Sequence, residues 1–490
     1  MCALAKVGRA ITAPISQACW AWRVMPSEAL TARSAWAILA HPMRRLPDVP
    51  PRGRAITVDL EGESLPAIEG EPVACSLIAA GEPMLARSIK YHRPRGPYCF
   101  AGACSHCLMR VDGVPNVYAC RTPARDGMKL ERQNAYPSAK VDIFESIDWF
   151  FPKGMDHHEM FAGVPVAEQV MAKVARQLAG LGLLPKTPAP ATAPARTVRT
   201  RVAVVGGGAA GLAAARVLTE RDVGFLLIER DDALGGRLAN GAPEAGGPSL
   251  DDIHRISPSS VLTRATALGL YDDEAGRFLA VGTWEADAPR LVKVYSERFL
   301  LTPGGHPPTL PFENNDLPGV YAGRAASLLL RRYDVAPETA ALVGWGAELH
   351  ALANLLQERG TKVVAVVDLR DTPPAGTHAT AVRGSEPKAH GLRGVSAFSY
   401  TREGGGREKV SCDAVLVSVP VSPSFELARQ GGAKVPFDEK RGLFVVETDA
   451  DGRTQAPDVY AAGDVTGGGT AKDAAAAGRR AAQALVGGLS

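Results

Sequence analysis

Four cysteines set close together constrain this 490-residue chain more than any other feature. Of its eight cysteines, four follow the spacing Cys99-x4-Cys104-x2-Cys107-x12-Cys120. A Cys-x4-Cys-x2-Cys run with a distant fourth cysteine is typical of [2Fe–2S] sites. Such a loop wraps three thiolates around one edge of a cluster, and a returning strand supplies the fourth. We therefore predict that these four residues bind a [2Fe–2S] cluster.

A zinc site is the alternative for these cysteines. Zinc usually takes paired Cys-x2-Cys knuckles, and here only Cys104 and Cys107 form one. His106 lies inside the loop, but four cysteines already complete a site, so we interpret it as a solvent-facing loop residue. A disulfide scaffold would be shorter and denser in cysteine, so a reducing compartment is favoured.

A dinucleotide-binding pattern begins at Arg201. An apolar strand runs to Val205, the glycines Gly206, Gly208 and Gly211 open an alanine-rich helix, and Glu229 ends the next apolar strand. Strand, glycine turn, helix and a later acid together form a Rossmann fingerprint. The glycines let the backbone approach a pyrophosphate at the helix N-terminus, and the acid accepts bonds from ribose hydroxyls. A glycine turn that only packs helix on strand is the alternative.

Two further segments favour FAD as the ligand of this site. Arg230 follows the acid directly, and Gly236 and Arg237 lie in Gly235-Gly-Arg-Leu238, as in many FAD-binding domains. Near the end, a strand runs into Gly463 and Asp464, followed by glycines and a helix from Ala471. This segment resembles that of two-dinucleotide flavoproteins, which implies that Asp464 binds the ribityl chain. NAD at the same site is the alternative.

A second fingerprint is less regular. Gly344 and Gly346 follow a strand, and Asp368 ends the next one. Leu349 replaces the third small residue, and Trp345 stands where a phosphate needs space. An empty Rossmann unit and an NAD site therefore both stay open. If the site is occupied, Asp368 favours NAD over NADP, because a carboxylate repels a 2′-phosphate.

Several motifs around the cysteines resemble the sarcosine oxidase alpha-subunit family. They are Tyr91-His-Arg-Pro-Arg-Gly96, Val114-Pro-Asn-Val-Tyr-Ala-Cys120, Asp126-Gly-Met128, Gln133-Asn134 and Pro152-Lys-Gly-Met155. The resemblance extends from Arg54 to Ser490 and includes subunits of hydrogen cyanide synthase, opine oxidases and dye-linked proline dehydrogenases. It implies a β-grasp [2Fe–2S] domain followed by a two-dinucleotide α/β flavoprotein body.

The expected domain order follows from these motifs and from a Pro/Ala-rich linker between Leu184 and Arg196. We expect an N-terminal extension over residues 1–45, with a transit peptide as the alternative, and a connector built on a helix from Pro165. The predicted boundaries are 1–45, 46–150 for the cluster domain, 151–200 for the connector, 201–325 and 446–490 for the FAD-binding parts, and 326–445 for the Rossmann insert.

The resemblance implies an electron-transferring, alpha-type subunit of a multi-subunit amine or imino-acid dehydrogenase or oxidase. The substrate would be of the sarcosine, proline, glycine or opine type, oxidised on a flavoprotein beta-type partner. A self-sufficient NADH-dependent reductase and an assembly subunit with structural NAD are the alternatives. The chain ends at Ser490 without a C-terminal aminomethyltransferase-like segment, so folate-linked capture of formaldehyde is not expected.

Composition and charge limit the classes of partner that the chain can bind and the cellular compartment in which we expect it. The net charge of +3 over the whole chain gives no footprint for nucleic acid, and no apolar run is long enough to span a bilayer. We expect a cytoplasmic protein, with peripheral docking at the inner membrane through a partner as the alternative. No cysteine pair follows Cys120, which excludes disulfide reduction, and the sequence names no catalytic acid or base. His157 and His158 are interpreted as packing or contact residues.

Overall fold

The structure is a computed structural model that describes residues 43–47, 49–50, 52–146, 185, 188, 191–241, 250–285, 288–370 and 381–489. The chain divides into Met1–Ala40 and His41–Ser490, and every described residue belongs to the second unit. The helix expected from Pro165, the pair His157-His158 and most of the N-terminal extension lie outside the described residues.

The cluster-bearing part packs one helix across a sheet of strand order β3-β2-β8-β6-β7. Residues Ala55–Leu60 are rich in β-branched and apolar side chains and form a strand, whose side chains alternate between solvent and core. Its elements are β1 Arg44–Arg45, β2 Ala55–Leu60, β3 Glu63–Ile68, α1 Val73–Ala79, β4 Ala86–Arg87, β5 Pro94–Arg95, β6 Leu108–Val111, β7 Val114–Tyr118 and β8 Lys129–Glu131.

The described residues include a segment that precedes the recognisable motifs. Met43 has no exposed surface and belongs to the core, although we expected it to lie in the N-terminal extension over residues 1–45. Strand β1 pairs antiparallel with residues Val335 and Ala336, far along the chain. The reason is tertiary: two arginines carry no strand signal, and the pairing partner supplies the hydrogen bonds.

The flavin-type sheet begins at Ala193, inside the stretch that we expected to be linker. The strand that starts there pairs in parallel with a later strand through ten residue pairs, between Arg290 and Leu301. This pairing extends the first strand beyond its apolar part. The elements here are β9 Ala193–Val205, α2 Ala209–Glu220, β10 Phe225–Ile228, α3 Arg237–Asn240, β11 Val261–Leu262, β12 Ala265–Asp273, β13 Gly276–Glu285, β14 Ala288–Leu301 and β15 Gly305–His306.

A second sheet follows, in the order β16-β23-β18-β19-β20-β21-β22. It begins at Val320, before the expected boundary at residue 326, because its first strand pairs with Val415–Val417. Its elements are β16 Val320–Ala322, α4 Gly323–Tyr333, β17 Val335–Ala336, β18 Thr339–Gly344, α5 Ala347–Glu358, β19 Lys362–Asp368, β20 Ala381–His390, β21 Ala397–Arg402, β22 Arg407–Ser411, β23 Ala414–Ser418, β24 Ser422–Pro423 and α6 Glu426–Gln430.

The chain then returns to the first sheet. Strand β27 lies parallel to β14, and helix α7 begins at Ala471, as expected, behind a capping box formed by Thr470 and Asp473. Gly478 allows this helix to contact α2, since a Cβ there would meet the Ala210 carbonyl at 2.0 Å. The last elements are β25 Phe437–Asp438, β26 Leu443–Phe444, β27 Val459–Ala461 and α7 Ala471–Gly487. Within the described ranges, no helix has both the length and the apolar character of a membrane span.

Candidate iron–sulfur and dinucleotide sites

The four predicted ligand cysteines meet at one place in the first domain. Cys99, Cys104 and Cys107 lie on the loop between β5 and β6, and Cys120 follows β7. Cys99, Cys107 and Cys120 are buried, whereas Cys104 is partly exposed. The antiparallel pairing of β6 with β7 returns the fourth cysteine to the loop.

The thiols contact one another closely enough to perturb their protonation. Hydrogen bonds from Cys104 and Cys120 lower the pKa of the Cys99 thiol, and the bond to Cys99 raises the pKa of Cys104. Bonds to Cys107 and then Cys99 raise the pKa of Cys120. Cys99 and Cys107 are thus favoured as thiolates at the expense of Cys104 and Cys120. Four thiolates at this spacing require a cationic centre between them, so the residues fit a cluster of iron ions.

The backbone of the loop that carries Cys99, Cys104 and Cys107 also has features of a cluster-binding loop. The Ala101 amide donates to the Cys99 sulfur at 3.3 Å. Phe100 has φ 48°, a left-handed conformation that is costly for a bulky residue, and Gly102 follows with φ 67°. Such local strain is typical of ligand-binding loops. Amides directed at the sulfurs tune the potential of a cluster.

The arrangement of the four thiols bears on the zinc alternative. Among the described residues, no group of three or more His, Cys, Asp or Glu side chains is arranged around a single ion. The thiols contact one another in series: Cys104 with Cys99, Cys99 with Cys120, and Cys120 with Cys107. Their spacing in the sequence is that of [2Fe–2S] sites and not that of paired zinc knuckles.

The first fingerprint forms a close turn between β9 and α2. Gly206 has φ 98°, and a Cβ on it would meet the Thr302 carbonyl oxygen at 2.2 Å. A Cβ on Gly211 would meet the Gly206 oxygen at 1.8 Å, so glycine is required where helix and strand cross. The Thr302 hydroxyl donates to the oxygens of Val205 at 2.8 Å and Gly206 at 2.9 Å. Gly208 precedes the helix as its N-cap.

Glu229 lies beside this turn, at the end of β10. Its carboxylate accepts from the Gly207 amide at 2.7 Å and from the Asp231 amide at 2.8 Å. The side chain is partly exposed. Burial raises the pKa of Glu229, although the two amide bonds oppose that shift. The carboxylate is held at the mouth of the glycine turn, where a ribose can reach it.

Asp464 supplies a buried acceptor at the far end of the same site. It follows Gly463, which has φ 86°, and its side chain is 7% exposed. The Oδ2 atom accepts from Arg324 at 3.4 Å, but the Oδ1 atom has no hydrogen-bond partner. A buried carboxylate oxygen without a donor is costly in a folded protein. A ribityl hydroxyl would satisfy it, so this position fits the flavin role.

Gly236 and Arg237 flank this region on α3. Gly236 has φ 49°, and a Cβ there would approach the Gly208 Cα to 3.1 Å. Arg237 donates to the Gly469 carbonyl at 2.8 Å and lies 3.7 Å from Asp464. The motif therefore connects the glycine turn with the N-terminal end of α7.

The second fingerprint differs in its acid. Gly344 has φ 144°, and a Cβ there would meet the Ser418 oxygen at 1.9 Å, so the turn itself is formed. Asp368, however, has a fully buried carboxylate. His350 contacts its Oδ2 at 3.2 Å and Arg370 donates to the same atom at 2.9 Å. Burial raises the pKa of Asp368, but the Arg370 contacts outweigh it and the net shift is downward.

The cluster loop and the Glu229 segment are directly connected. The Arg121 guanidinium lies 2.8 Å from the Asp231 carboxylate. Arg230 donates to the Ala101 carbonyl at 2.9 Å. These contacts join the residue after Cys120 and the loop after Cys99 to the two residues that follow Glu229. The two candidate cofactor sites thus share one short segment.

Sequence reasoning missed the charged residues that join the sites. Arg121 directly follows the ligand cysteine Cys120, and Asp231 directly follows Arg230. These positions in the sequence were the available signal. Glu348 lies within the second fingerprint, between Gly346 and Leu349, but nothing local indicated its partners, and Arg324 lies in no motif. Arg93 and Arg95, in the motif before the cluster loop, both pair with Asp316.

Two family models match the chain. Residues 53–135 match the 2Fe-2S iron-sulfur cluster binding domain, and residues 200–481 match the pyridine nucleotide-disulphide oxidoreductase model. The predicted fold class is confirmed. The predicted cofactors, a [2Fe–2S] cluster and FAD, are confirmed by the same two matches.

The chain is similar to several known proteins. The sarcosine oxidase subunit alpha of Rhizobium meliloti (strain 1021) is 27% identical over 82% of this chain and 43% of that protein. The hydrogen cyanide synthase subunit HcnA of Pseudomonas aeruginosa is 37% identical over 19% of this chain and 90% of that protein. The crystal structure of L-proline dehydrogenase from P. horikoshii aligns with TM-score 0.65 and 21% identity, covering 91% of this chain and 75% of that one. The chain spans less than half the length of the sarcosine oxidase alpha subunits that it matches.

Proposed function

Because this chain belongs to the pyridine nucleotide-disulphide oxidoreductase family and is related to sarcosine oxidase alpha subunits, we propose that it relays electrons as an alpha-type subunit. The complex is a multi-subunit flavin-dependent dehydrogenase or oxidase of CH–NH donors. A sarcosine, proline, glycine or opine type of substrate is oxidised on a flavoprotein beta-type partner.

One observation carries this proposal: the cluster loop contacts the two residues that follow Glu229, the acid of the first fingerprint. Arg230 reaches Ala101, and Arg121 reaches Asp231. Both redox sites are therefore held in fixed relation on one body. When bound, flavin exchanges two electrons and the cluster one, so the pair converts a two-electron event into single-electron transfers.

The sequence supports the cluster as the electron outlet. Members that reduce disulfides need a thiol pair beside the flavin, and after Cys120 this chain has only Cys412. That thiol is buried, and burial raises its pKa to about 12. Neither property suits a redox-active nucleophile.

The chain's own residues have distinct tasks in this proposal. The four cysteines hold the cluster, and partly exposed Cys104 lies on the side open to solvent. Glu229 orients the ribose, and Asp464 accepts from the ribityl chain. The Arg121–Asp231 pair keeps the cluster loop against the dinucleotide segment.

The first experiment is an anaerobic visible spectrum of the purified chain, recorded alone, after NADH and then after dithionite. We expect flavin and cluster bands that bleach with dithionite and not with NADH. Rapid bleaching by NADH would contradict the relay and support the self-sufficient reductase. Bound NAD without flavin absorbance would also contradict the relay, and would support a non-catalytic assembly subunit with structural NAD.

Substrate and partner are tested by co-purification from the native source. We expect a flavoprotein to accompany the chain and the complex to reduce a dye with sarcosine, proline, glycine or an opine. Native purification as a single, fully active chain would contradict the subunit assignment.

A further inference from the structure

The acids of the two fingerprints stand in opposite environments. Glu229 is partly exposed, and its oxygens accept from backbone amides. Asp368 is fully buried and bound by two side chains, Arg370 at 2.9 Å and His350 at 3.2 Å. A ribose hydroxyl can reach the first carboxylate without breaking an ion pair. At the second it would have to displace the Arg370 contact to a fully buried carboxylate, which is costly.

A second carboxylate lies where the pyrophosphate of a nucleotide would bind. Glu348 is in the first turn of α5, the helix that opens behind Gly346. In an occupied Rossmann unit, this end of the helix receives the negative phosphates. A glutamate there opposes phosphate binding by charge, and Leu349 is already packed in the core. The turn is therefore formed but unsuited to an anion.

Glu348 instead makes ion pairs with two arginines. Arg324, at the start of α4, donates to its Oε2 atom at 2.9 Å. Arg237, on α3 of the flavin-type part, donates to its Oε1 atom at 3.3 Å. Burial raises the pKa of Glu348, but the charge and hydrogen bond of Arg324 outweigh it, so the net shift is downward. The carboxylate is thus held ionised.

These pairs cross between the two parts of the body. Arg237 of the flavin-type part contacts Glu348 of the insert, and Arg324 of the insert contacts Asp464 of the flavin-type part. The side chains of Arg237 and Glu348 are 12% and 33% exposed, and those of Arg324 and Asp464 are 20% and 7% exposed. This shielding separates them from ordinary surface pairs, whose contribution to stability is small.

We propose that the second Rossmann unit binds no nucleotide and that Glu348 acts as a clasp, which fixes the insert on the flavin-type part through Arg237 and Arg324. The helix end that a nucleotide phosphate would occupy is used for attachment between parts. Since Arg324 also contacts Asp464, the clasp positions the residue that we assign to the ribityl chain. The proposal concerns the insert and does not depend on the substrate of the complex.

The first test is calorimetric titration of the FAD-loaded chain with NADH and, separately, with NADPH. We expect no saturable binding of either nucleotide up to millimolar concentration, the usual upper range for a reductant that works in the cell. Saturable binding that Asp368→Ala weakens would overturn the proposal, because it would locate a nucleotide at the second fingerprint.

The second test measures hydrogen exchange of the FAD-loaded chain in wild type and Glu348→Gln. We expect amides of α3 and of the first turn of α5 to exchange roughly fivefold to tenfold faster in the variant. Glu358→Gln, at the exposed end of the same helix, is the matched control and should leave the pattern unchanged. Equal exchange in Glu348→Gln and wild type would overturn the clasp even if no nucleotide binds.

Discussion

The buried carboxylate of Asp464 is the single residue with the most direct consequence for flavin binding. One of its oxygens has no hydrogen-bond donor in the described protein, and a ribityl hydroxyl would supply one. We expect Asp464→Asn to weaken FAD binding roughly tenfold to hundredfold, the range for losing a hydrogen bond to a charged group. Flavin fluorescence during equilibrium dialysis measures the affinity. Asp451→Asn, at an exposed carboxylate, should bind FAD like wild type. Unchanged affinity in Asp464→Asn would remove this residue from the site.

Glu348 has a pH dependence whose sign follows from its lowered pKa. A carboxyl with a pKa lower in the folded than in the unfolded state stabilises the fold above its unfolded pKa. That stabilisation is lost as the pH falls through the folded pKa. We therefore expect wild type to be more stable than Glu348→Gln from neutral pH down to roughly pH 5, and the difference to shrink below about pH 4 until the pH is under the lowered folded pKa. Thermal unfolding of both proteins across this range measures it. A difference that grows on acidification would contradict the ion-paired state.

Between elements, the contact of the cluster loop with the segment after β10 predicts a coupling of the two cofactors. Asp231 pairs with Arg121 through its side chain and donates to Glu229 through its amide. A ligand that orders Glu229 should therefore also order the cluster loop, and the coupling must be reciprocal. We expect FAD to slow removal of iron by a chelator, and Arg121→Gln to reduce that protection by up to about fivefold, as for a partly exposed ion pair.

The matched control for this coupling is Arg125→Gln. Arg125 belongs to the same domain and pairs with Asp112 at 3.2 Å, away from the dinucleotide segment. It should retain the full protection by FAD. Equal protection in Arg121→Gln and wild type, followed by cluster absorbance, would show that the two loops touch without being coupled.

Across the whole molecule, local sequence patterns predicted the strands that carry their own signal. Long-range contacts decided the remaining strands and the ion pairs between the parts of the chain. Ala55–Leu60 and Phe225–Ile228 carry their own strand signals, and both form strands. Residues 193–200 contain proline, arginine and threonine without alternation, and they become a strand only because β14 lies beside them. The Arg237–Glu348 contact joins residues 111 positions apart, so no local motif could indicate it. The ligand cysteines were predictable because their spacing is local; the clasp was not.

The whole chain should take up electrons in a number fixed by its two cofactors. Flavin accepts two electrons and a [2Fe–2S] cluster one, so a fully loaded chain should consume about three electrons in an anaerobic dithionite titration. Cys104→Ala removes one cluster ligand while the flavin part stays intact, so its uptake should fall to about two. Cys412→Ser, at a buried thiol of the insert, should still take up about three. An uptake of two electrons in loaded wild type, or the same uptake in Cys104→Ala as in wild type, would mean that the four cysteines do not carry the one-electron site. The relay would then lose its proposed outlet, because the cluster is the carrier that would take single electrons from the flavin.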